Sequence, residues 1–412
     1  MSSVVERFLR YVQIDTQSAY DSDSFPSTAK QLTLARLLAD EIKQLGLEQV
    51  SLDSNGYVMG WLPSNLPHPA PALGLIAHVD TSPELSGAGV CPKIVEHYDG
   101  GDIVLSAEKQ IVLSPRDFPE LAEYKGQAII TTDGSTLLGA DDKAGVAEIV
   151  AALAELAAHP ERPHGRLCIC FTPDEEVGDG ANLFDIPRFG ADLAYTMDGG
   201  EIGEFNYENF NAARARITIH GKSVHPGSAK GKLINAAQVA TELDRLLPPA
   251  ERPEYTEGYE GFYHLGNLHG TVEDAELVYI LRDHDRTKFE ARKQVMVEVV
   301  AFINQRYGAG TAELALEDQY YNMREKLSPE MPIVENALRA MRAAGVEPRV
   351  LPIRGGTDGA RLTFLGLPTP NLFAGGHNFH GRYEYVPIPS MEKAVEVILK
   401  LVELYAQEPA QG

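Results

Sequence analysis

The side chains able to do chemistry in this chain gather where apolar runs end. Asp141 and Asp142 stand in Gly139-Ala140-Asp141-Asp142-Lys143-Ala144-Gly145, an acidic turn running straight into an Ala-rich segment. His78-Val79-Asp80, Asp174-Glu175-Glu176 and Met197-Asp198 each follow a strand-like apolar stretch. Singly, each has a bland explanation. A carboxylate at a helix start is favoured by the exposed amides and the helix dipole, and Asp198 before two glycines reads as a turn residue. A strand-end His is usually structural, and a Glu-Glu pair after Pro-Asp is usually a solvated loop. Their joint occurrence is harder to dismiss, because carboxylates and imidazoles without thiolates suit zinc, cobalt or manganese.

A pair of such metals sharing a bridging carboxylate can activate a hydroxide and polarise a carbonyl. Asp141, central in the chain, is the natural bridge. Glu175 and Glu176 are adjacent, so their side chains diverge; one can ligate while the other takes the proton from the attacking water. Asp80 lies two residues beyond His78 on the same strand face and can receive its free ring N–H.

The elements that must position these groups follow from periodicity. Ser3 and Glu6 occupy capping-box positions of an N-terminal helix. Leu32, Ala35, Leu38, Ile42 and Leu45 recur at helical spacing and stop at Gly46. Asn55-Gly56 marks a hairpin. Leu73 to Ala77, Arg166 to Phe171 and Ala191 to Met197 are apolar enough for buried strands. Pro and Gly punctuate residues 81–126, which predicts loops and short edge strands. The segment after Asp141 predicts an amphipathic helix. In an open α/β sheet, ligands sit beyond the carboxyl ends of strands, where these candidates lie.

From about Asn211 the order becomes strand, helix, strand, strand, helix, strand, ending near Leu316. That is a ferredoxin-like split unit. Since potential ligands resume only at His377 and His380, residues 210–316 read as an insertion between two parts of a catalytic domain, 1–209 and 317–412.

Composition narrows the function. A chain of 412 residues exceeds one ordinary hydrophobic core. A net charge of -23 argues against nucleic-acid or anionic-membrane partners. No run is apolar and long enough to span a bilayer, and the start lacks the apolar core of a signal peptide. Three cysteines without a Cys-x-x-Cys pair read as reduced thiols, which predicts a cytoplasmic location.

With these residues in view, the chain resembles the co-catalytic zinc metallopeptidase family that includes aminoacylases, carboxypeptidase G and succinyl-diaminopimelate desuccinylase. The likeness rests on His78-Val79-Asp80-Thr81, the 139–145 turn, Thr172-Pro173-Asp174-Glu175-Glu176-Val177-Gly178 and Met197-Asp198-Gly199-Gly200. It continues through Ser223-Val224-His225-Pro226-Gly227, Arg282-Asp283-His284-Asp285-Arg286 and Arg354-Gly355-Gly356-Thr357-Asp358-Gly359. The resemblance implies a mixed-sheet α/β exopeptidase domain interrupted by a ferredoxin-like α+β lid, with a homodimer through the inserted domain. It implies one zinc held by His78 and Asp198, a second by Glu176 and His380, and Asp141 bridging both. His380 is favoured over His377 because the family's ligand His precedes a Glu, here Glu384. The resemblance further implies Glu175 as general base, Asp80 as clamp, His225 as oxyanion donor, and Arg282 and Arg354 as substrate contacts. The implied reaction is removal of the N-terminal residue from tripeptides. A dipeptidase, an N-acyl-amino-acid deacylase and a non-catalytic metal- or peptide-binding protein are the alternatives.

Overall fold

The reciprocal cap forms at the chain start. Ser3 Oγ accepts the Glu6 N–H at 3.2 Å, Glu6 Oε2 accepts the Ser3 N–H at 2.8 Å, and helix Val4–Val12 follows. The computed structural model describes residues 3–328 and 331–409. Two units divide the chain: Met1–Tyr207 with Lys326–Leu351 and Thr357–Gly412, and Glu208–Glu325 with Pro352–Gly356.

The first unit is built on a mixed eight-stranded sheet. At its centre, Leu73–His78 is buried at every residue and lies parallel to both Leu167–Thr172 and Leu193–Gly199. All three therefore point their carboxyl ends the same way, which brings His78, the Glu175-Glu176 loop and Asp198 to one edge. The hairpin Glu48–Leu52 and Val58–Leu62 extends the sheet antiparallel beside Leu167–Thr172. On the other flank lie Asn371–Phe373, Glu204–Asn206 and Arg349–Val350. Within residues 81–126 the structure has short strands Lys93–Val95, Ile103–Ser106 and Ile111–Leu113, as the Pro and Gly punctuation predicts.

Helix Ala140–Ala158 differs from expectation. Instead of being amphipathic, it is buried on almost every face. It packs between the central strands and helices Val4–Val12 and Ile388–Tyr405, so apolar residues and alanine surround it and no polar stripe is needed. Gly145 permits the closest approach: a Cβ there would lie 2.2 Å from the Met197 carbonyl oxygen.

The second unit carries strands Asn211–His220, Phe262–Gly270, Asp274–Asp283 and Ala312–Tyr320 in one antiparallel sheet, with helices Ala236–Leu246 and Arg286–Tyr307. Asn211–His220 and Asp274–Asp283 lie side by side in the middle, and the order along the sheet is the ferredoxin-like one. Its last strand continues past Leu316 to Tyr320. Alternation along Asp274–Asp283 buries Ala275, Leu277, Tyr279 and Leu281 in the core of this unit.

Candidate metal centre

Asp80 organises the edge of the sheet. It is fully buried just beyond His78. The His78 Nδ1 lies 3.1 Å from the Asp80 carbonyl oxygen and 3.3 Å from its carboxylate. The same carboxylate accepts the N–H groups of Glu175 at 3.0 Å and Glu176 at 3.2 Å. One side chain thus fixes both the imidazole and the backbone of the Glu-Glu pair, leaving His78 Nε2 facing Asp141 and Asp198 at 2.9 and 3.6 Å.

The acidic turn is held by a residue remote in sequence. Glu384 accepts the N–H groups of Leu138, Gly139, Ala140 and Asp141 at 2.7, 2.8, 2.7 and 3.2 Å. A buried carboxylate therefore caps these amides, while Gly139 turns the chain at a φ of +84°. Asp142 is a buried peg whose carboxylate accepts the N–H groups of His78 and Gly145. The two aspartates, alike in sequence, separate completely in role: Asp142 faces the backbone and Asp141 faces the site.

Asp141 presents one oxygen to each histidine. Its Oδ1 is 2.9 Å from His78 Nε2, and its Oδ2 is 3.3 Å from His380 Nε2. His380 Nε2 also lies 2.9 Å from Glu176 Oε2, and its Nδ1 lies 3.6 Å from Glu84. His377 is elsewhere: its Nε2 pairs with the Tyr124 hydroxyl at 2.8 Å and its ring stacks on Tyr385. Burial, reinforced by Arg349, pushes His377 down to about 4.

Packing this many carboxylates together is electrostatically unfavourable without a cation. Burial, then the charge of Asp198, pushes Glu175 well up; burial, then Asp141, pushes Glu176 up to about 8. Burial also raises Asp198. Asp141 is lowered despite burial, because hydrogen bonds from His380 and His78 favour its anion. His380 is raised to about 11 against its burial by contacts with Asp141 and Glu176. Donor atoms of His78, Glu175 and Asp198 lie within 4.8 Å of one another, as do those of His78, Asp141 and Glu176. Glu176 Oε1 is buried with no hydrogen-bond partner. An oxygen- and imidazole-rich cradle with an orphaned carboxylate oxygen fits divalent metal.

The remaining candidates lie in the second unit. His225 is exposed, and its Nδ1 accepts the Gly227 N–H at 3.1 Å, which leaves Nε2–H as the donor of the neutral ring. Arg282 donates to the Leu281 carbonyl and the Gln319 amide oxygen at 3.1 and 3.3 Å, and lies over Tyr320. Neither acceptor carries charge. Arg354 is tied into its own unit. Its guanidinium donates to the carbonyls of Gly258, Glu260 and Thr256 and to the Thr256 hydroxyl, and it covers the rings of Phe210 and Phe262. It fastens the 256–260 loop.

Comparison with known proteins agrees with this geometry. Residues 129–404 match the model of Peptidase family M20/M25/M40. Peptidase T of Clostridium acetobutylicum is 58% identical over 408 residues, covering 99% of this chain and 100% of that protein. Peptidase T of Halothermothrix orenii is 59% identical over 406 residues, covering 98% and 100%. Among solved structures, a tripeptidase from Staphylococcus aureus superposes with a TM-score of 0.78 at 23% identity, and aminopeptidase PepT from Bacillus cereus with 0.77 at 24%. Each covers 98% of both chains, and at that identity the likeness speaks for the fold. A sheet edge that gathers these carboxylates and histidines, and full-length relatives sharing more than half of its residues, lead to one conclusion: the chain belongs to peptidase family M20/M25/M40.

Proposed function

We propose that this protein is a dinuclear zinc aminopeptidase that releases the N-terminal residue from tripeptides. The observation that carries the reading is the placement of Asp141, one carboxylate oxygen toward His78 and the other toward His380. Full-length relatives named peptidase T supply the reaction class. His78, Asp198 and Asp141 would hold one ion, and Glu176, His380 and Asp141 the other. Bound there, the ions supply Lewis acidity and make a water acidic enough to attack at neutral pH.

The chain's own groups do the rest. Asp80 keeps His78 oriented and the Glu175-Glu176 backbone in place. Glu175, whose carboxylate lies beside His78 and Asp198, takes the proton of the attacking water and returns it to the departing amine. His225 offers Nε2–H to the developing oxyanion. Arg282, whose acceptors in the second unit are uncharged, binds the terminal carboxylate of the peptide. Unpaired cysteines suit a cytoplasmic enzyme, and a homodimer through the second unit remains part of the reading.

Product analysis tests it. After chelation and zinc restoration, free tripeptides should lose their first residue, whereas di- and tetrapeptides and N-acetylated tripeptides should be poor substrates. Preferred cleavage of the N-acetylated peptides would make the protein a deacylase instead.

A further inference from the structure

Glu175 and Glu176 enter the site from a turn that ordinary side chains avoid. Asp174 has a φ of +58°, in the left-handed region that most side chains avoid and that Asp and Asn enter at lower cost. It follows Pro173, so the chain changes direction sharply just before the two glutamates. What sustains this backbone is a set of contacts from a distant segment. The Asp174 carboxylate, which is almost fully buried, accepts the Ser27 N–H at 2.6 Å, the Ser27 hydroxyl, and the Gln31 side-chain amide at 2.6 Å. Gln31 Oε1 in turn accepts the Asp174 N–H at 3.2 Å. Gln31 is itself buried, so it grips both the backbone and the side chain of one residue.

We infer that Ser27, Gln31 and Asp174 form a positioning device for the Glu175-Glu176 pair. Ser27 and Gln31 precede residues 129–404, the part that matches the family model. Asp80 fixes the two glutamates from one side through their N–H groups. The Ser27-Gln31 grip fixes the residue before them and selects the left-handed turn that points Glu175 toward His78 and Asp198. Without the grip, Asp174 relaxes toward ordinary backbone and both glutamates shift together.

The kinetic part of this inference rests on the proposed aminopeptidase reading; the metal part does not. The test compares Ser27→Ala, Gln31→Ala, Asp174→Asn and Asp174→Ala with the parent. Unfolding midpoint, zinc affinity against a competing chelator, and kcat and KM on a tripeptide are measured for each. Displacement of a catalytic group by about an ångström lowers rate by about 10²-fold, so Asp174→Ala should lose kcat on that scale while KM stays within about threefold. Zinc affinity should weaken by about tenfold or more, because Glu176 moves with the turn. Gln31→Ala should follow in the same direction. Asp174→Asn should recover part of the loss, since Asn tolerates the left-handed region and keeps one acceptor.

Should Asp174→Ala fail to fold, Ser27→Ala and Gln31→Ala carry the test. Zinc affinity and kcat both unchanged in these variants would overturn the inference. So would a loss confined to KM, or one fully explained by a lower unfolding midpoint. If the parent cleaves no tripeptide, the function reading fails, yet zinc affinity across the series still decides the positioning claim.

Discussion

Glu175 and Glu176 share an anchor at Asp80 and diverge from it, and their different neighbours divide the work. Glu176 meets His380 at 2.9 Å, whereas Glu175 belongs with His78 and Asp198. Glu175→Gln should therefore bind metal and substrate almost normally and lose kcat by about 10²–10⁴-fold, the usual contribution of a general acid–base group. Glu176→Gln should instead lose metal affinity, with turnover partly restored at high zinc. Metal content and kcat for the two side by side check this. The histidines divide as sharply. His380→Ala should lose metal and activity together, and His377→Ala should keep its metal, as elemental analysis would reveal. His377 has a further signature in stability. Its folded-state value of about 4 lies below the ordinary 6.5. Between those values the unfolded chain takes up a proton that the folded chain refuses, so stability falls as pH drops through this window. His377→Gln lacks that slope. The stability gap between parent and variant, measured by denaturant unfolding, should narrow by roughly 1–3 kcal/mol from pH 7 to pH 4.5.

Helix Ala140–Ala158 and the central strands meet closely enough that one methyl group matters. Gly145→Ala would place Cβ 2.2 Å from a backbone oxygen that cannot rotate away. It should cost about 1–3 kcal/mol of unfolding free energy, read from denaturant midpoints. The strands that end in His78 and Asp198 were legible because burial makes them near-continuous apolar runs, and their chemistry begins where the run stops. The helix was legible in position and not in character: its alanines mark close packing on all sides as readily as one apolar face. Glu384 was visible only as a neighbour of His380, since accepting four amides of a turn more than two hundred residues away leaves no local pattern. Ser27 and Gln31 were hidden for the same reason. The bonds that tie Arg354 to the 256–260 loop left no sequence signal either, since only the fold brings those carbonyls to it. Three-residue strands such as Ile129–Thr131 are too short to show a period at all.

The whole molecule combines a sheet edge rich in negative charge with a second unit that keeps a half-buried arginine beside uncharged acceptors. Arg282 is lowered by burial, the expected response of a guanidinium short of counter-charge. Arg282→Ala should raise KM for tripeptides far more than for their C-terminal amides, by the roughly 1.5–3 kcal/mol typical of hydrogen bonds to charge. Equal effects on acid and amide would remove Arg282 from recognition. Two histidines on the two oxygens of Asp141 call for two metals, and a zinc titration counts them. Metal-free protein receives zinc in fractions of an equivalent while cleavage of a free tripeptide is followed. Cleavage should be absent at the start and should reach a plateau at about two equivalents per chain. Full activity without metal, or a plateau already reached at one equivalent, would contradict a two-metal site.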